Sequence, residues 1–235
     1  MANEYTALKK SRYERKFVVS QLSKANIEQI VRAHPAAFSE IYHERYINNI
    51  YLDSHNLMSY IDNNVGKSHR KKVRIRWYGD LLGYIEHPIL EFKLKTGAVG
   101  DKHSFFLKPF VLDKNFNIDL LKNIFKKSDL PDRVMDEILT LEPTLLNRYS
   151  RKYFQTIDKN FRLTIDTDLE YHDISRRNNN FIKHDINYID NVVELKYENN
   201  KDNKADFITN NLPFRMTKSS KYVNGIEKFH LNIAI

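Results

Sequence analysis

Glu14 and Lys16, Arg74 and Arg76, Glu91, Lys93 and Lys95, Tyr149 and Arg151, Arg162, Thr164 and Asp166, and Glu194 and Lys196 recur at alternate positions within otherwise apolar runs. Side chains of an extended chain alternate between two faces, so each set shares one face. The opposite faces carry Phe17 and Val19, Val73, Ile75 and Trp77, Leu90, Phe92 and Leu94, Phe161, Leu163 and Ile165, or Val193, Leu195 and Tyr197. A face of guanidinium and ammonium groups is suited to phosphate oxygens, which arginine holds as a fork and lysine as a point charge. Carboxylates among such cations can hold Mg²⁺ or Mn²⁺, hard ions that take oxygen ligands. Glu14, Glu91 and Glu194 are therefore candidate metal ligands, with simple pairing to a neighbouring lysine as the alternative for Glu14.

A charged face on one strand is ordinary, because an antiparallel sheet often has a wet side. Glu-x-Lys triplets are also common, and this composition yields about one by chance. Six strands here share the pattern, however, and their charged faces are poor in the β-formers that wet faces favour. Their apolar faces are bulky and continuous, and several amphipathic helices are available to cover them. That combination points to a barrel with its apolar surface outside and its charge within. An inward ring of cations opposes folding unless anions neutralise it, so a highly charged anionic ligand is the natural complement.

The elements that must position these residues are legible in outline. Strands are expected at 12–20, 44–52, 73–78, 89–96, 144–157, 161–171 and 191–198. Asp158, Lys159 and Asn160 form a hairpin turn, and residues 97–103 form a turn before a short return strand at 104–107. Ser23 caps a helix bearing Ile27, Ile30 and Val31, which His34 and Pro35 end. Residues 56–64 read as a helical or turn segment, followed by a basic loop, GKSHRKK. Spacing of three and four between 117 and 142 predicts two helices parted near Pro131. Residues 175–180 read as a polar loop, and closing helices are expected around 207–212 and 219–231, with Ser219 or Ser220 as a cap. The fold class is α+β, and residues 1–235 are read as a single domain.

Composition narrows the function further. Thirty-eight lysines and arginines against 30 acidic residues give a net charge of +8, which favours an anionic partner. Cysteine is absent, which removes disulfides, thiolate zinc sites and a thiol nucleophile. Neither a signal-peptide core nor an apolar run of membrane-spanning length occurs, so a soluble cytoplasmic protein is expected. No Gly-x-x-x-x-Gly-Lys loop is present, and the nine histidines include no His-x-x-x-His pair.

In order along the chain, Arg12-Tyr-Glu14-Arg-Lys16, Arg74-Ile-Arg76, Glu91-Phe-Lys93, Tyr149-Ser-Arg151, Arg162-Leu-Thr164-Ile-Asp166, Glu194-Leu-Lys196 and Ser220-Lys221-Tyr222 resemble the polyphosphate polymerase (VTC, vacuolar transporter chaperone) domain of the triphosphate tunnel metalloenzyme, or CYTH-like, superfamily. The resemblance implies an eight-stranded antiparallel β-barrel, a tunnel flanked by helices with a charged interior. It implies that Lys16, Arg74, Arg76, Lys93, Arg151, Arg162 and Lys196 grip phosphates, that Lys221 steers the acceptor, and that Glu194 on a late strand binds Mn²⁺ or Mg²⁺. ATP or another triphosphate, and polyphosphate, are then the partners, and nucleic acid is not expected. Arg12 stands where many tunnel enzymes open with the first glutamate of Glu-x-Glu-x-Lys, as in the VTC branch, which removes one metal ligand. Arg148 has the opposite parity to Arg151 and is read as a surface residue. Eukaryotic members also carry a sensing domain and membrane helices that this sequence does not show, so regulation and a membrane partner for export are left open.

The activity implied is polyphosphate synthesis from the γ-phosphate of ATP. A triphosphatase acting on inorganic or organic triphosphate is the first rival. A noncatalytic binder of polyphosphate or nucleic acid, with Trp77, Tyr78 and Tyr149 as stacking platforms, is the second.

Overall fold

The computed structural model describes residues 12–97 and 99–230. In chain order the elements are β1 (Arg12–Val19), α1 (Lys24–Arg32), β2 (Phe38–Asp53), α2 (Met58–Asn64), β3 (His69–Tyr78), β4 (Gly83–Ile85), β5 (Ile89–Thr96), β6 (Val99–Phe106), β7 (Phe110–Leu112), α3 (Ile118–Lys127), α4 (Asp132–Ile138), β8 (Glu142–Thr156), β9 (Phe161–His172), β10 (His184–Asn187), β11 (Asn191–Glu198), α5 (Asp202–Asn210) and α6 (Lys221–Phe229). The first residues of the sequence and the end of the expected closing helix, Leu231, lie outside the described residues.

The main sheet runs β10-β9-β11-β1-β6-β5-β3-β2-β8, and β8 also pairs with β9. That second pairing closes eight antiparallel strands into a ring, while short β10 merely extends β9. Among the described residues, β1 and β6 pair at one position, Arg12 with Gly100. There the segment before α6 runs beside β1: Met216 bridges Phe17, Thr217 donates its backbone N–H to the Lys16 carbonyl, and Val18 N–H donates to Thr217 Oγ1.

Alternation places the apolar faces outside, as the sequence pattern requires. On one flank Val73, Ile75, Trp77, Leu90 and Phe92 pack under α3, α4 and the two-stranded β4–β7 sheet through Phe110, Leu121, Ile124, Phe125 and Ile138. On another, Phe17, Leu163, Ile165, Val193 and Leu195 pack under α1 and α5 through Ile27, Val31, Ala205 and Ile208. Each fully buried aliphatic side chain contributes about 1.5–3 kcal/mol, so the helical cover stabilises a barrel whose charged inward faces supply no such burial.

A third cluster lies inside one end of the ring. Tyr222 and Ile226 of α6 pack with Tyr60 of α2 against the inward-facing Tyr51, Leu145, Tyr171 and Val192. Asp53 ties the two helices together, accepting from the backbone N–H groups of Ser59 and Tyr60 and from Tyr222 Oη at 2.5 Å. Close approach requires Gly225, because a Cβ there would stand 2.3 Å from Leu145 Cδ2 and 2.7 Å from Tyr171 Cδ1. The α6 helix thus plugs this end of the tunnel.

Some expectations need correction. The basic GKSHRKK stretch is not a loop throughout, since β3 begins at His69. Residues 97–103 are not all turn: Gly97, at φ +61°, starts the reversal and β6 begins at Val99. The second strand begins at Phe38 rather than at residue 44. The short strands β4, β7 and β10 carry too little alternation to register in a sequence. Among the described residues, no helix is long and apolar enough to cross a membrane.

Candidate active site

The inward positions of β1, β3, β5, β6, β8, β9 and β11 bring charged residues together in two linked groups. Lys16 is the centre of the first. Its Nζ lies 2.9 Å from Glu14 Oε1 and 3.2 Å from Glu194 Oε1, and it donates to the Ser219 carbonyl. Across the β1–β11 ladder Glu14 opposes Lys196 and Lys16 opposes Glu194, which explains why all four side chains meet. Lys196 Nζ lies 3.0 Å from Glu194, and Lys93 Nζ lies 3.1 Å from Glu14.

Beside this group Arg151 grips Asp166 as a fork, with Nε and Nη2 at 2.5 and 2.6 Å, and reaches Glu194 at 3.4 Å. Lys221, the first residue of α6, also donates to Asp166 at 2.5 Å. The second group centres on Glu91, which receives Arg74 at 2.7 Å, Lys102 at 3.0 Å and Arg76 at 3.6 Å. Tyr149 links the two, with its hydroxyl 3.5 Å from Arg76 Nη2 and its ring 4.5 Å from Lys221 Nζ.

The carboxylates are held ionised. Burial and Glu194 oppose ionisation of Glu14, but Lys16, Lys93 and Lys196 outweigh them and lower its pKa. Burial likewise opposes ionisation of Glu194, yet Lys196, Lys16, Arg151 and Lys221 hold it well below the usual carboxylate range. Against burial, Arg74, Arg76 and Lys102 draw Glu91 down to about 2.

The cations are not all neutralised in turn. Burial, reinforced by Lys16 and Lys196 and only partly offset by Glu14, lowers Lys93 to about 8. Lys72 donates to Ser220 Oγ at 2.7 Å; burial and then Lys16, Lys93, Arg70 and Arg74 push its pKa well below that of a free lysine. Burial is the first cause of both shifts and neighbouring cations add to it, so each lysine carries its charge at a cost that a bound anion would offset.

Every predicted phosphate-binding residue has inward parity, but they do not all converge. Arg162 is exposed at the ring's other end, opposite Lys196 and Gln155. Glu91 stands apart from Glu14 and Glu194, enclosed by its own three cations. No group of three histidine or acidic side chains placed to hold a metal occurs among the described residues. Glu14 and Glu194 nevertheless suit a hard divalent ion, being ionised oxygen donors that share one lysine, and Mg²⁺ characteristically takes one or two carboxylates and completes its shell with substrate phosphates. Arg148 faces outward, its guanidinium 3.8 Å from the Tyr46 ring.

Sequence reasoning assigned no role to Lys72, Lys102 or Asp166. Lys72 shares parity with Arg74 but lies outside the strand expected at 73–78, whereas β3 begins four residues earlier, at His69. Lys102 fell in a segment read as a turn. Asp166 was placed on the inward face, but no spacing rule reveals that two cations from different elements converge on it.

A closed antiparallel tunnel with an ionised, cation-rich interior defines the class: this is the CYTH-like, triphosphate tunnel fold. A Hippeastrum protein, described as an adenylyl cyclase candidate with a dominant triphosphatase activity, superposes with a TM-score of 0.51 at 13% identity, over 90% of this chain and 92% of its own. A Pyrococcus horikoshii protein superposes with a TM-score of 0.51 at 12% identity, over 92% of this chain and 99% of its own. Among curated proteins compared by sequence, none matches. The VTC domain profile matches residues 11–230, and the chain belongs to the VTC domain family.

The depressed lysines give the tunnel a testable pH response. Between about 8, the folded pKa of Lys93, and 10.5, its ordinary value, the unfolded chain binds a proton that the folded chain has released. Stability of the ligand-free protein therefore rises as pH climbs through that window. Affinity for inorganic triphosphate moves the opposite way, because the same deprotonation removes a positive charge from the lumen. Thermal unfolding and calorimetric titration from about pH 7 to about pH 9.5 check both trends, and Lys93→Met reduces each slope while leaving the part that Lys72 contributes.

Proposed function

We propose that the chain is a metal-dependent phosphotransferase that acts on triphosphate and polyphosphate, and that it builds polyphosphate from the γ-phosphate of ATP. The observation that supports this reading is the convergence of Lys16, Arg151 and Lys196 on Glu194, and of Lys93 on Glu14, inside a closed ring of strands. The γ-phosphate is held among Arg74, Arg76, Lys93, Arg151 and Lys196, with Lys16 beside them. Arg162 at the open end meets phosphates further along a chain, and Lys221 orients the acceptor. Phosphoryl transfer depends mainly on positioning and charge stabilisation, which such a cage supplies without a general base when the acceptor is an ionised phosphate. Glu194, with Glu14 beside it, would hold Mn²⁺ or Mg²⁺, which when bound neutralises charge on phosphate oxygens. Glu91 serves instead to position Arg74 and Arg76. A cytoplasmic location, where ATP is available, and a membrane partner for export belong to the same proposal.

Triphosphate hydrolysis is the second reading, favoured by the activity described for the Hippeastrum protein. Incubation with ATP and Mn²⁺ followed by separation of products distinguishes them. Long polyphosphate is the expected product; orthophosphate alone assigns the chain to the triphosphatases. A noncatalytic binder would form neither and would retain its affinity after chelation of the metal.

A further inference from the structure

We infer that an aromatic platform around Arg45, at the open end of the tunnel, receives the nucleobase of the nucleotide donor; this rests on the proposed use of a nucleoside triphosphate. Arg45 Cζ lies 5.4 Å from the Tyr42 ring, 4.5 Å from Tyr78 and 5.0 Å from Tyr153. Tyr42 and Tyr153 meet edge to face at 5.6 Å. The register of β2 shifts between Tyr42 and Arg45, and such irregularities re-aim side chains, here turning both toward one cluster.

The platform adjoins the phosphate cage directly. Arg45 opposes Arg151 across the β2–β8 ladder. Tyr78 is the next inward residue after Arg76 on β3, a step of about 7 Å. At the far end of the same strands Tyr51 and Leu145 pack against the α6 plug. A triphosphate seated among Arg74, Arg76 and Arg151 therefore leaves its nucleoside pointing away from α6, toward this cluster.

Chemistry favours a base as the occupant. Tyr42 is 51% and Tyr78 44% exposed, although both are large rings on a folded surface. Aromatic rings offer little to phosphate oxygens, whereas rings and a guanidinium plane together stack a base.

The test compares ATP with inorganic triphosphate, each titrated into the full chain with Mn²⁺. Tyr42→Ala and Tyr78→Ala are expected to weaken ATP about tenfold or more while leaving inorganic triphosphate unchanged, and Tyr78→Phe to restore ATP binding. Equal loss for both ligands, or no loss for ATP, overturns the inference while leaving the tunnel reading intact. If Arg45→Ala weakens long polyphosphate but spares ATP, the cluster is a path for the chain and the inference fails. Wild-type protein that binds neither ATP nor inorganic triphosphate removes the tunnel reading and this inference with it.

Discussion

Glu194→Gln lowers metal-dependent turnover of ATP about a hundredfold or more, while binding of inorganic triphosphate in the absence of metal is preserved or strengthened. The two halves of this expectation have one cause. Glu194 is buried and ionised, within 3.4 Å of Lys16, Arg151 and Lys196. Removing its charge leaves those three cations with less to neutralise them, so a polyanion is attracted at least as well. What is lost is the carboxylate best placed to share a divalent ion with the substrate, and charge-stabilising groups at phosphoryl and acyl transfer sites are typically worth about 10²–10³ in rate. Steady-state kinetics with Mn²⁺, set beside metal-free titration calorimetry, reads both halves. Retention of full turnover moves the metal elsewhere; a parallel loss of metal-free binding shows that Glu194 acts by organising the lysines. The same substitution leaves a noncatalytic binder unchanged.

The ring of strands was legible because alternation is a strong local signal wherever one face is charged and the other apolar. Glu14 with Lys16, Glu91 with Lys93, and Glu194 with Lys196 each announce a strand and its inward face within three residues. The local signal cannot say what meets across the lumen. Lys16 joins Glu14 and Glu194 because β1 and β11 pair in a register fixed by the whole ring. Glu91 belongs to a separate group because β5 lies between β3 and β6, which supply Arg74, Arg76 and Lys102. The plug was equally hidden. Nothing in the Ser220-Lys221-Tyr222 run states that Tyr222 and Ile226 enter the barrel end, since an amphipathic helix reads the same whether it covers a sheet from outside or stops a tunnel from within. Only Gly225, at a position where a Cβ would collide with Leu145 and Tyr171, bears the mark of close packing, and a single glycine within a helix is a weak signal.

That plug is also the basis of the second large effect, the replacement of Asp166 by asparagine. Asp166 is fully buried and anchors two cations from different elements: Arg151 on β8 and Lys221 at the start of α6. Burial opposes its ionisation, and Arg151 and Lys221 overcome that cost and lower its pKa. Breaking a buried ion pair by removing one partner leaves an uncompensated charge and costs about 3–5 kcal/mol. Asp166→Asn is expected to destabilise the ligand-free protein by an amount in that range, read by chemical denaturation. Inorganic triphosphate should then raise the melting temperature of the variant more than that of the wild type, because phosphate oxygens take over the role of the lost carboxylate toward Arg151 and Lys221. Wild-type stability in the variant means that Lys221 and α6 have moved away and Arg151 has found water, which limited proteolysis near Ser220 detects. A destabilised variant without the larger ligand effect places Arg151 outside the phosphate path. The carboxylate and the substrate thus compete for the same two cations, and the tunnel holds Arg151 and Lys221 ready by giving them, in the empty state, a partner that a polyanion can displace.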